Sequence, residues 1–218
     1  LVVAAVIAMV AATRFSGDDL QVYRAAGRAL LDGVDPYLRP PPGTHITFSY
    51  TPFSTLAFAP LAVSSSAVSM FALTMAGLVC LGAAMHRVVA QLWPALDPAG
   101  LARTTALVVA AVVVSEPATE TLGLGQVNFV LLGLVVLDVL RRRPSRWQGV
   151  ALGLATASKL TPGVFVLYLL ATRRYRAAAT AAATFAATVA VGFVVMPHGS
   201  WSYWVRGVGA DPAHIGGV

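Results

Sequence analysis

Charged side chains are scarce in this chain. Of its 218 residues only 11% are Asp, Glu, Lys or Arg, whereas 57% are hydrophobic. A soluble domain carries about 25% charged residues, so this chain has too few of them to cover a surface that faces water. The hydrophobic residues also stand in long runs, which is typical of membrane-spanning helices. The composition therefore excludes an ordinary soluble domain and predicts an all-α membrane protein.

Cysteine and histidine are also scarce, which limits the kinds of site that the chain can build. Cys80 is the single cysteine, so no disulfide can form within the chain. The four histidines are scattered without the spacing of metal ligands, and the sequence predicts no metal site. It also contains no phosphate-binding loop, no serine-hydrolase motif and no zinc-protease motif, and it predicts no cofactor.

The charge that is present is mostly basic, with a formal net charge of +6. The basic residues stand in short clusters between the hydrophobic runs, above all at 141–146 and 173–176. Cytoplasmic loops of membrane proteins are enriched in Lys and Arg in this way. We therefore expect membrane lipids, and not nucleic acid, as the surroundings of the chain.

The hydrophobic runs predict one membrane domain over residues 1–218. Residues 1–14 are either a first helix whose start is missing or the core of a signal peptide, and the lack of a basic flank and of a cleavage site favours the helix. Four further spans are predicted, at 66–90, 103–117, 126–140 and 177–196. Residues 48–63 are predicted to form one short helix that is broken or lies at the interface.

Residues 147–171 are long enough for one span but carry Lys159 and Pro162 near their centre. A lysine at the centre of a bilayer costs about 2.5–3.5 kcal/mol, and a single span would put the two basic clusters on opposite sides of the membrane. Two short helices, 147–158 and 162–171, avoid both problems. The sequence thus predicts a broken helical hairpin with Lys159 near the opposite face of the membrane or in a wet cavity. The alternative is that its ammonium group snorkels to the interface.

The most polar segment, residues 15–47, is predicted to be the first outer loop. It contains an amphipathic helix over about residues 17–31, which we expect to lie at the membrane interface. An approximate capping box of Ser16 and Asp19 marks the start of this helix, and Gly33 is placed to end it.

One face of this helix is apolar and consists of Leu20, Tyr23, Gly27, Leu30 and Leu31. Asp18 points away from that face, and Asp19 lies on its flank. If the apolar face packs on the membrane domain, Asp19 borders a cleft, and it is our candidate catalytic carboxylate. Tyr23, one turn further on, is a candidate substrate contact. The alternative is that both aspartates only stabilise the N-terminus of a surface helix.

Five more polar or aromatic residues are candidate substrate contacts. Arg24 and Arg28 share one stripe of the helix, where they bind a phosphate or pair with acidic groups and lipid headgroups. Gln126 and Asn128 open a span, and their amides bond either a sugar or another helix. Tyr50 either shapes the mouth of the cleft or precedes a helix that begins at the next proline.

Several short motifs stand in a defined order along most of the chain. They are Asp19-Leu20-Gln21-Val22-Tyr23 with Gly33 and Pro36-Tyr37, Phe48-Ser49-Tyr50-Thr51-Pro52-Phe53 through Ala59-Pro60-Leu61, Gly125-Gln126-Val127-Asn128, and Gly153-Leu154-Ala155 through Lys159-Leu160-Thr161-Pro162-Gly163. In this ordered set the chain resembles glycosyltransferase family 87, the actinobacterial α-mannosyltransferases that depend on polyprenyl-phosphate-mannose.

The resemblance implies a GT-C-like polytopic helical bundle in the cell membrane, with the active site on the extracytoplasmic face. The donor would be a polyprenyl-phosphate-linked mannose, and the acceptor a glycolipid such as a phosphatidylinositol mannoside. Asp19 would act as general base in an inverting transfer, and Lys159, with Arg24 or Arg28, would neutralise the departing phosphate. Family members are longer, so we expect an N-terminal fragment of the transferase.

Other functions remain open at this point. A transporter or flippase of a lipid-linked or polar solute also uses broken helices and a lone lysine within the membrane. A transferase of the same fold for another sugar, such as arabinose, and a non-catalytic assembly subunit are further alternatives.

Overall fold

The structure is a computed structural model that describes residues 16–37, 48–141 and 145–207. This part of the chain contains ten α-helices, one 3₁₀ turn and no strand. In chain order they are α1 (Asp18–Leu31), α2 (Pro52–Val63), α3 (Ser66–Leu92), α4 (Pro98–Val113), α5 (Glu116–Gly123), α6 (Asn128–Val139), α7 (Val150–Ser158), the 3₁₀ turn (Thr161–Gly163), α8 (Val164–Ala171), α9 (Tyr175–Val195) and α10 (Pro197–Trp204). The helix expected at 1–14 lies outside the described residues.

Two helices are long and apolar enough to cross a membrane, α3 with 27 residues and α9 with 21. Helices α4 and α5 pass the same test together but are bent by 75° at the break between them, so they add a third candidate if they form one span. Helices α2 and α6 are apolar but shorter. The expectation of an all-helical membrane protein is confirmed at this level.

The helices around residue 115 differ from the expected pair of spans joined by a loop. Helix α4 begins at Pro98, earlier than the expected 103, because the Asp97 side chain accepts a hydrogen bond from the backbone N–H of Gly100 at 3.0 Å. It ends at Val113, and α5 follows where a loop was expected. Pro117 explains the interruption, since a proline breaks the preceding helix but favours the first turn of a new one.

Helix α1 occupies the residues that the sequence predicted, but the predicted capping box is wrong. Gly17 is the N-cap, with a left-handed φ of 64°, and no side chain caps the helix. The Ser16 hydroxyl instead donates to Oδ2 of Asp18 at 2.6 Å. At the other end Gly33 has the expected positive φ of 69°, and it closes the helix in the usual glycine-dependent way.

The buried face of α1 is wider than the apolar stripe read from the sequence. Leu20, Tyr23 and Gly27 are buried as predicted, and Val22 and Ala26 are buried in addition. Leu31, which the stripe included, is 51% exposed and was wrongly assigned to the buried face. The difference arises because α1 packs along α2 and also contacts the C-terminal end of α5.

Aromatic side chains form the core between α1, α2 and the segment that joins them. The Tyr23 ring stacks on Phe58 with 4.3 Å between the ring centroids and meets the Tyr50 ring edge-on at 5.2 Å. Phe48 and Tyr37 extend this cluster. A second apolar cluster joins α3 to α4, α5 and α6, and consists of Leu78, Leu81, Val113, Ala118, Leu122 and Phe129.

The segment predicted as a broken hairpin is interrupted at Lys159 and Leu160, between α7 and the 3₁₀ turn that leads into α8. Its start is fixed by Asp138, which is only 3% exposed and accepts hydrogen bonds from the backbone N–H groups of Gly149 at 2.9 Å and Leu152 at 3.0 Å. A carboxylate at the N-terminus of α7 also interacts favourably with the positive end of the helix dipole. How the segment sits in the membrane stays a prediction.

Replacement of Gly27 by alanine should weaken the packing of α1 on α2. A Cβ atom at Gly27 would lie 2.6 Å from the carbonyl oxygen of Phe58, which is backbone and cannot rotate away. We expect Gly27→Ala to cost about 1–3 kcal/mol, measured as a lower Tm in thermal unfolding of the detergent-purified protein. Gly82→Ala is the matched control, because a Cβ at that helical position meets nothing within 4 Å. Equal Tm values for the two variants would contradict this close approach.

Candidate active site

The N-terminal end of α1 is held against the C-terminal end of α5. The backbone N–H of Gly17 donates to the carbonyl of Gly123, and that of Leu20 donates to the carbonyl of Leu124, both at 3.2 Å. These bonds satisfy N–H groups that have no acceptor within a helix. They also fix the position of Asp19, which lies between the two donors in the chain and is half-buried.

Asp19 begins a chain of hydrogen bonds that ends at Lys159. The Gln126 amide donates to Oδ2 of Asp19 at 2.7 Å, and the Asn128 amide donates to Oε1 of Gln126 at 2.6 Å. The Lys159 ammonium group donates to Oδ1 of Asn128 at 3.5 Å. We call these four residues the polar line. It joins helix α1, the start of α6 and the break after α7.

The turn before Gln126 depends on a glycine. Gly125 has a φ of 68°, and a Cβ atom there would lie 2.9 Å from Cβ of Leu20 and 3.0 Å from Sδ of Met70. A side chain at this position would therefore be both strained and in conflict with α1. Thr121 supports Gln126 from the preceding turn, because its backbone carbonyl accepts the Gln126 N–H at 2.9 Å. This local arrangement aims the Gln126 amide at Asp19.

Lys159 stands where the chain leaves α7 in an extended conformation. Its ammonium nitrogen lies 5.4 Å from the centroid of the Tyr50 ring, within the range of a cation–π contact. The neighbouring Thr51 hydroxyl donates to the carbonyl of Ala157, which ties the start of α2 to the end of α7. No carboxylate of residues 16–37, 48–141 or 145–207 forms an ion pair with Lys159, so its charge is available to an anionic ligand.

The tyrosines behind the polar line are neutral hydrogen-bonding groups. The hydroxyls of Tyr23 and Tyr50 lie 2.7 Å apart, and the Tyr37 hydroxyl donates to the backbone carbonyl of Tyr50 at 2.7 Å. Burial raises the pKa of Tyr50 to about 12, and the negative charge of Asp19 adds to this effect. Burial likewise raises the pKa of Tyr23 well above its usual value. Both phenols therefore stay protonated at physiological pH.

The structure does not bring the two arginines of α1 into the polar line. Nη1 of Arg24 donates to the carbonyls of Leu61 at 2.6 Å and Ser64 at 2.7 Å, and to the Ser69 hydroxyl at 2.8 Å. This guanidinium group therefore anchors α1 to the end of α2. Arg28 lies one turn further on and is exposed. A phosphate-binding role for either arginine stays a prediction, without support from these contacts.

Several residues that shape the site were not identified from the sequence. Thr121 and Gly125 orient Gln126, and Leu124 accepts a bond from α1. The run Gly123-Leu124-Gly125 before two amides was the available signal for the turn. The backbone contact with α1 had no signal, because any residue supplies a carbonyl. In the described ranges, no group of three or more His, Cys, Asp or Glu residues could hold a metal ion.

The geometry so far defines a helical membrane protein in which the N-terminal end of α1 supplies a carboxylate and a helix break supplies a cation. The chain also matches a known family model, that of glycosyltransferase family 87, over residues 48–216. Since the match covers most of the chain, the protein belongs to glycosyltransferase family 87. The expected family is thus confirmed.

Curated mycobacterial proteins are similar to this chain. A polyprenol-phosphate-mannose-dependent alpha-(1-2)-phosphatidylinositol mannoside mannosyltransferase of Mycobacterium tuberculosis is 37% identical over 202 residues, which are 86% of this chain and 47% of the relative. Its namesake in Mycolicibacterium smegmatis is 37% identical over 204 residues, 87% of this chain and 46% of the relative.

A second kind of relative in Mycolicibacterium smegmatis is named a phosphatidylinositol pentamannoside mannosyltransferase. It is 36% identical over 140 residues, which are 63% of this chain and 30% of the relative. The chain spans about half the length of the first two relatives. No solved structure gives a significant match to it.

Replacement of Tyr50 by phenylalanine should change both stability and its pH dependence. Loss of the hydroxyl contact with Tyr23 should lower the unfolding free energy by about 1 kcal/mol at neutral pH. In the wild type, the stability that comes from burying a neutral Tyr50 is complete below the unfolded pKa of 10 and is lost as the pH rises through about 12. Tyr50→Phe cannot ionise, so the advantage of the wild type should shrink above pH 10 and then change sign. The rise of the Tyr50 pKa from 10 to about 12 corresponds to about 2.7 kcal/mol, which is larger than the initial gap.

Denaturant unfolding followed at several pH values measures this gap. Tyr168→Phe, which removes an exposed hydroxyl from α8, is the control. If the wild type keeps the same advantage in unfolding free energy between pH 8 and 12, or if that advantage grows, Tyr50 is not buried as a neutral phenol.

Proposed function

We propose that the protein containing this chain transfers a mannosyl residue from a polyprenyl-phosphate donor to a phosphatidylinositol mannoside acceptor. The names of the two relatives that share 37% identity over most of the chain support this donor and this acceptor. The observation that carries the proposal for this chain is the polar line, which places a carboxylate at one end of a hydrogen-bonded chain and, at the other end, an ammonium group without a carboxylate partner among the described residues. The rest of the protein is expected to complete the acceptor site.

The polar line is proposed to face the extracytoplasmic side of a multi-pass, GT-C-like bundle. The opposite end of the bundle carries Arg146, Arg173, Arg174 and Arg176. Basic clusters of this kind favour the cytoplasmic side of a membrane. In this orientation α1 lies along the outer interface, with Asp18 exposed to water and Tyr23 buried. A lipid-linked donor would reach Lys159 from within the membrane, and the polar head of the acceptor would approach from outside.

Asp19 is proposed to be the general base. Within the described part of the chain Gln126 is the one donor to this carboxylate, which leaves Oδ1 for the acceptor hydroxyl. The hydroxyl proton moves to the carboxylate as the hydroxyl oxygen bonds to the anomeric carbon of the donor. The bond from that carbon to the phosphate oxygen breaks on the opposite face, and the configuration inverts. A positioned base of this kind contributes about 10²–10⁴-fold to the rate.

Lys159 is proposed to stabilise the departing polyprenyl phosphate. Its charge has no carboxylate partner in the described residues, and the Tyr50 ring and the Asn128 amide hold it at the break. A fixed cation in a site with little water lowers the energy of the charge that develops on the leaving oxygen. Tyr23 and Tyr50 are proposed to form the neutral wall of the sugar site. We propose an anchoring role for Arg24, because its guanidinium group is already bound to α2 and α3.

Replacement of Asp19 by asparagine should abolish most of the transfer. The asparagine keeps the size of the side chain but cannot accept the proton, so we expect turnover to fall by about 10²–10⁴-fold. The assay follows radiolabelled polyprenyl-phosphate-mannose into glycolipid, with the full-length protein in membranes. Asp18→Asn is the matched control, since Asp18 is exposed and bonds only to Ser16 in the described residues. Wild-type turnover by Asp19→Asn would exclude Asp19 as the base.

A further inference from the structure

A basic cavity lies at the end of the helical bundle that carries the loops before α7 and after α8. Its volume is about 470 Å³, and its lining includes the guanidinium-bearing residues Arg146, Arg173, Arg174 and Arg176, together with Gln148. No acidic residue of the described ranges lines it. We call it the basic cavity. The concentration of positive charge around one opening would be unfavourable without an anion.

The basic cavity is separate from the polar line. Helix α6 begins at Asn128 in the polar line and ends at Val139, whose carbonyl accepts a hydrogen bond from Nη1 of Arg174 at 2.5 Å. Twelve helical residues at a rise of 1.5 Å each place the two sites roughly 18 Å apart. The basic cavity therefore needs a ligand of its own, distinct from the sugar donor at Lys159.

One arginine of the basic cavity is held in place by a hydrogen bond, and another lies in a strained backbone conformation. The bond from Arg174 to Val139 fixes one guanidinium group at the wall. Arg173 has a left-handed φ of 59°, the only positive φ of a non-glycine residue in the described chain. Glycine is the usual residue in such a turn after a helix, because side chains are strained there. An arginine in this strained position favours a use for its charge.

The start of α9 adds a further positive element to the same wall. Helix α9 begins at Tyr175, has 21 residues and lacks a side-chain cap. Tyr175 and Ala177 in its first turn line the basic cavity. The first N–H groups of a helix have no acceptor within it, and the helix dipole makes this end positive. Phosphate groups bind at such helix ends.

Exposed aromatic rings beside the opening favour a membrane interface as its surroundings. Trp147 and Tyr175 are each 61% exposed, and the guanidinium carbon of Arg146 lies 5.3 Å from the centroid of the Trp147 ring. Tryptophan and tyrosine are enriched at the level of the lipid headgroups, and a soluble anion would not require them. Basic pockets between helices on the cytoplasmic side bind the headgroups of anionic lipids.

We propose that the basic cavity binds the phosphate of an anionic phospholipid of the cytoplasmic leaflet. Arg146, in the loop before α7, and Arg176, in the first turn of α9, reach the phosphate from two sides, and their planar guanidinium groups each present paired donors to its oxygens. The lipid thereby joins the loop before α7 to the start of α9. It would stabilise the packed ends of α6, α7 and α9 without entering the site of glycosyl transfer.

The test uses the full-length protein, purified in detergent and titrated with phosphatidylglycerol in native mass spectrometry. The variant Arg146→Gln/Arg176→Gln removes two exposed charges of the basic cavity and leaves the Arg174 anchor intact. We expect this variant to bind the first equivalent of lipid at least about fivefold more weakly, because each lost guanidinium group removes a charge-assisted hydrogen bond. Arg87→Gln/Arg103→Gln removes the same charge elsewhere and should bind like the wild type.

Three results would overturn the proposal. They are an equal loss of binding in the control pair, unchanged binding in the cavity pair, and wild-type binding of phosphatidylcholine as tight as that of phosphatidylglycerol. Inorganic phosphate added as a competitor distinguishes the two sources of the anion. If it binds as tightly as the lipid, the ligand is free phosphate and the lipid assignment fails.

If the glutamine pair does not purify, Arg146→Lys/Arg176→Lys keeps the charge and should bind about two- to fivefold more weakly, because lysine lacks the paired donors.

Discussion

The docking of the N-terminal end of α1 on the C-terminal end of α5 is the contact on which the candidate site depends. Two backbone N–H groups of α1 donate to the carbonyls of Gly123 and Leu124, so neither end of the contact relies on a side chain that could rotate. The contact holds Asp19 opposite the Gln126 amide. A slip of α1 by one turn would move the carboxylate by about 5.4 Å, which is enough to break its bond to Gln126.

The site and the core of the bundle are built from the same side chains. Asp19 and Tyr23 are one turn apart on α1, and each leads towards Lys159 by its own route. One route runs through the two amides of the polar line. The other runs from the Tyr23 hydroxyl to Tyr50, whose ring faces the ammonium group. Because burial keeps both phenols neutral, this second route shapes the site without adding negative charge beside Asp19.

Local sequence signals predicted the elements but not how they meet. The extent of α1, the long helix α3 and the interruption at Lys159 follow from hydrophobic runs, glycine and proline, which act over a few residues. The exposed Asp18 and half-buried Asp19 also follow from helical periodicity. By contrast, the partners of Arg24 lie about 40 residues further along the chain, at the end of α2 and the start of α3. Such long-range contacts to backbone carbonyls leave no pattern in the sequence, and for this reason a phosphate site was a reasonable but unsupported expectation for that arginine.

We propose that the two ends of the polar line have different tasks, with Asp19 acting on the acceptor and Lys159 holding the donor phosphate. Binding of polyprenyl-phosphate-mannose to the full-length protein, measured without acceptor for Asp19→Asn and Lys159→Met, tests this division most directly. We expect Asp19→Asn to bind the donor like the wild type and Lys159→Met to bind it at least about tenfold more weakly, because a charge-assisted contact is worth roughly 1.5–3 kcal/mol. Donor binding that is unchanged in Lys159→Met, or lost equally in both variants, would contradict this division.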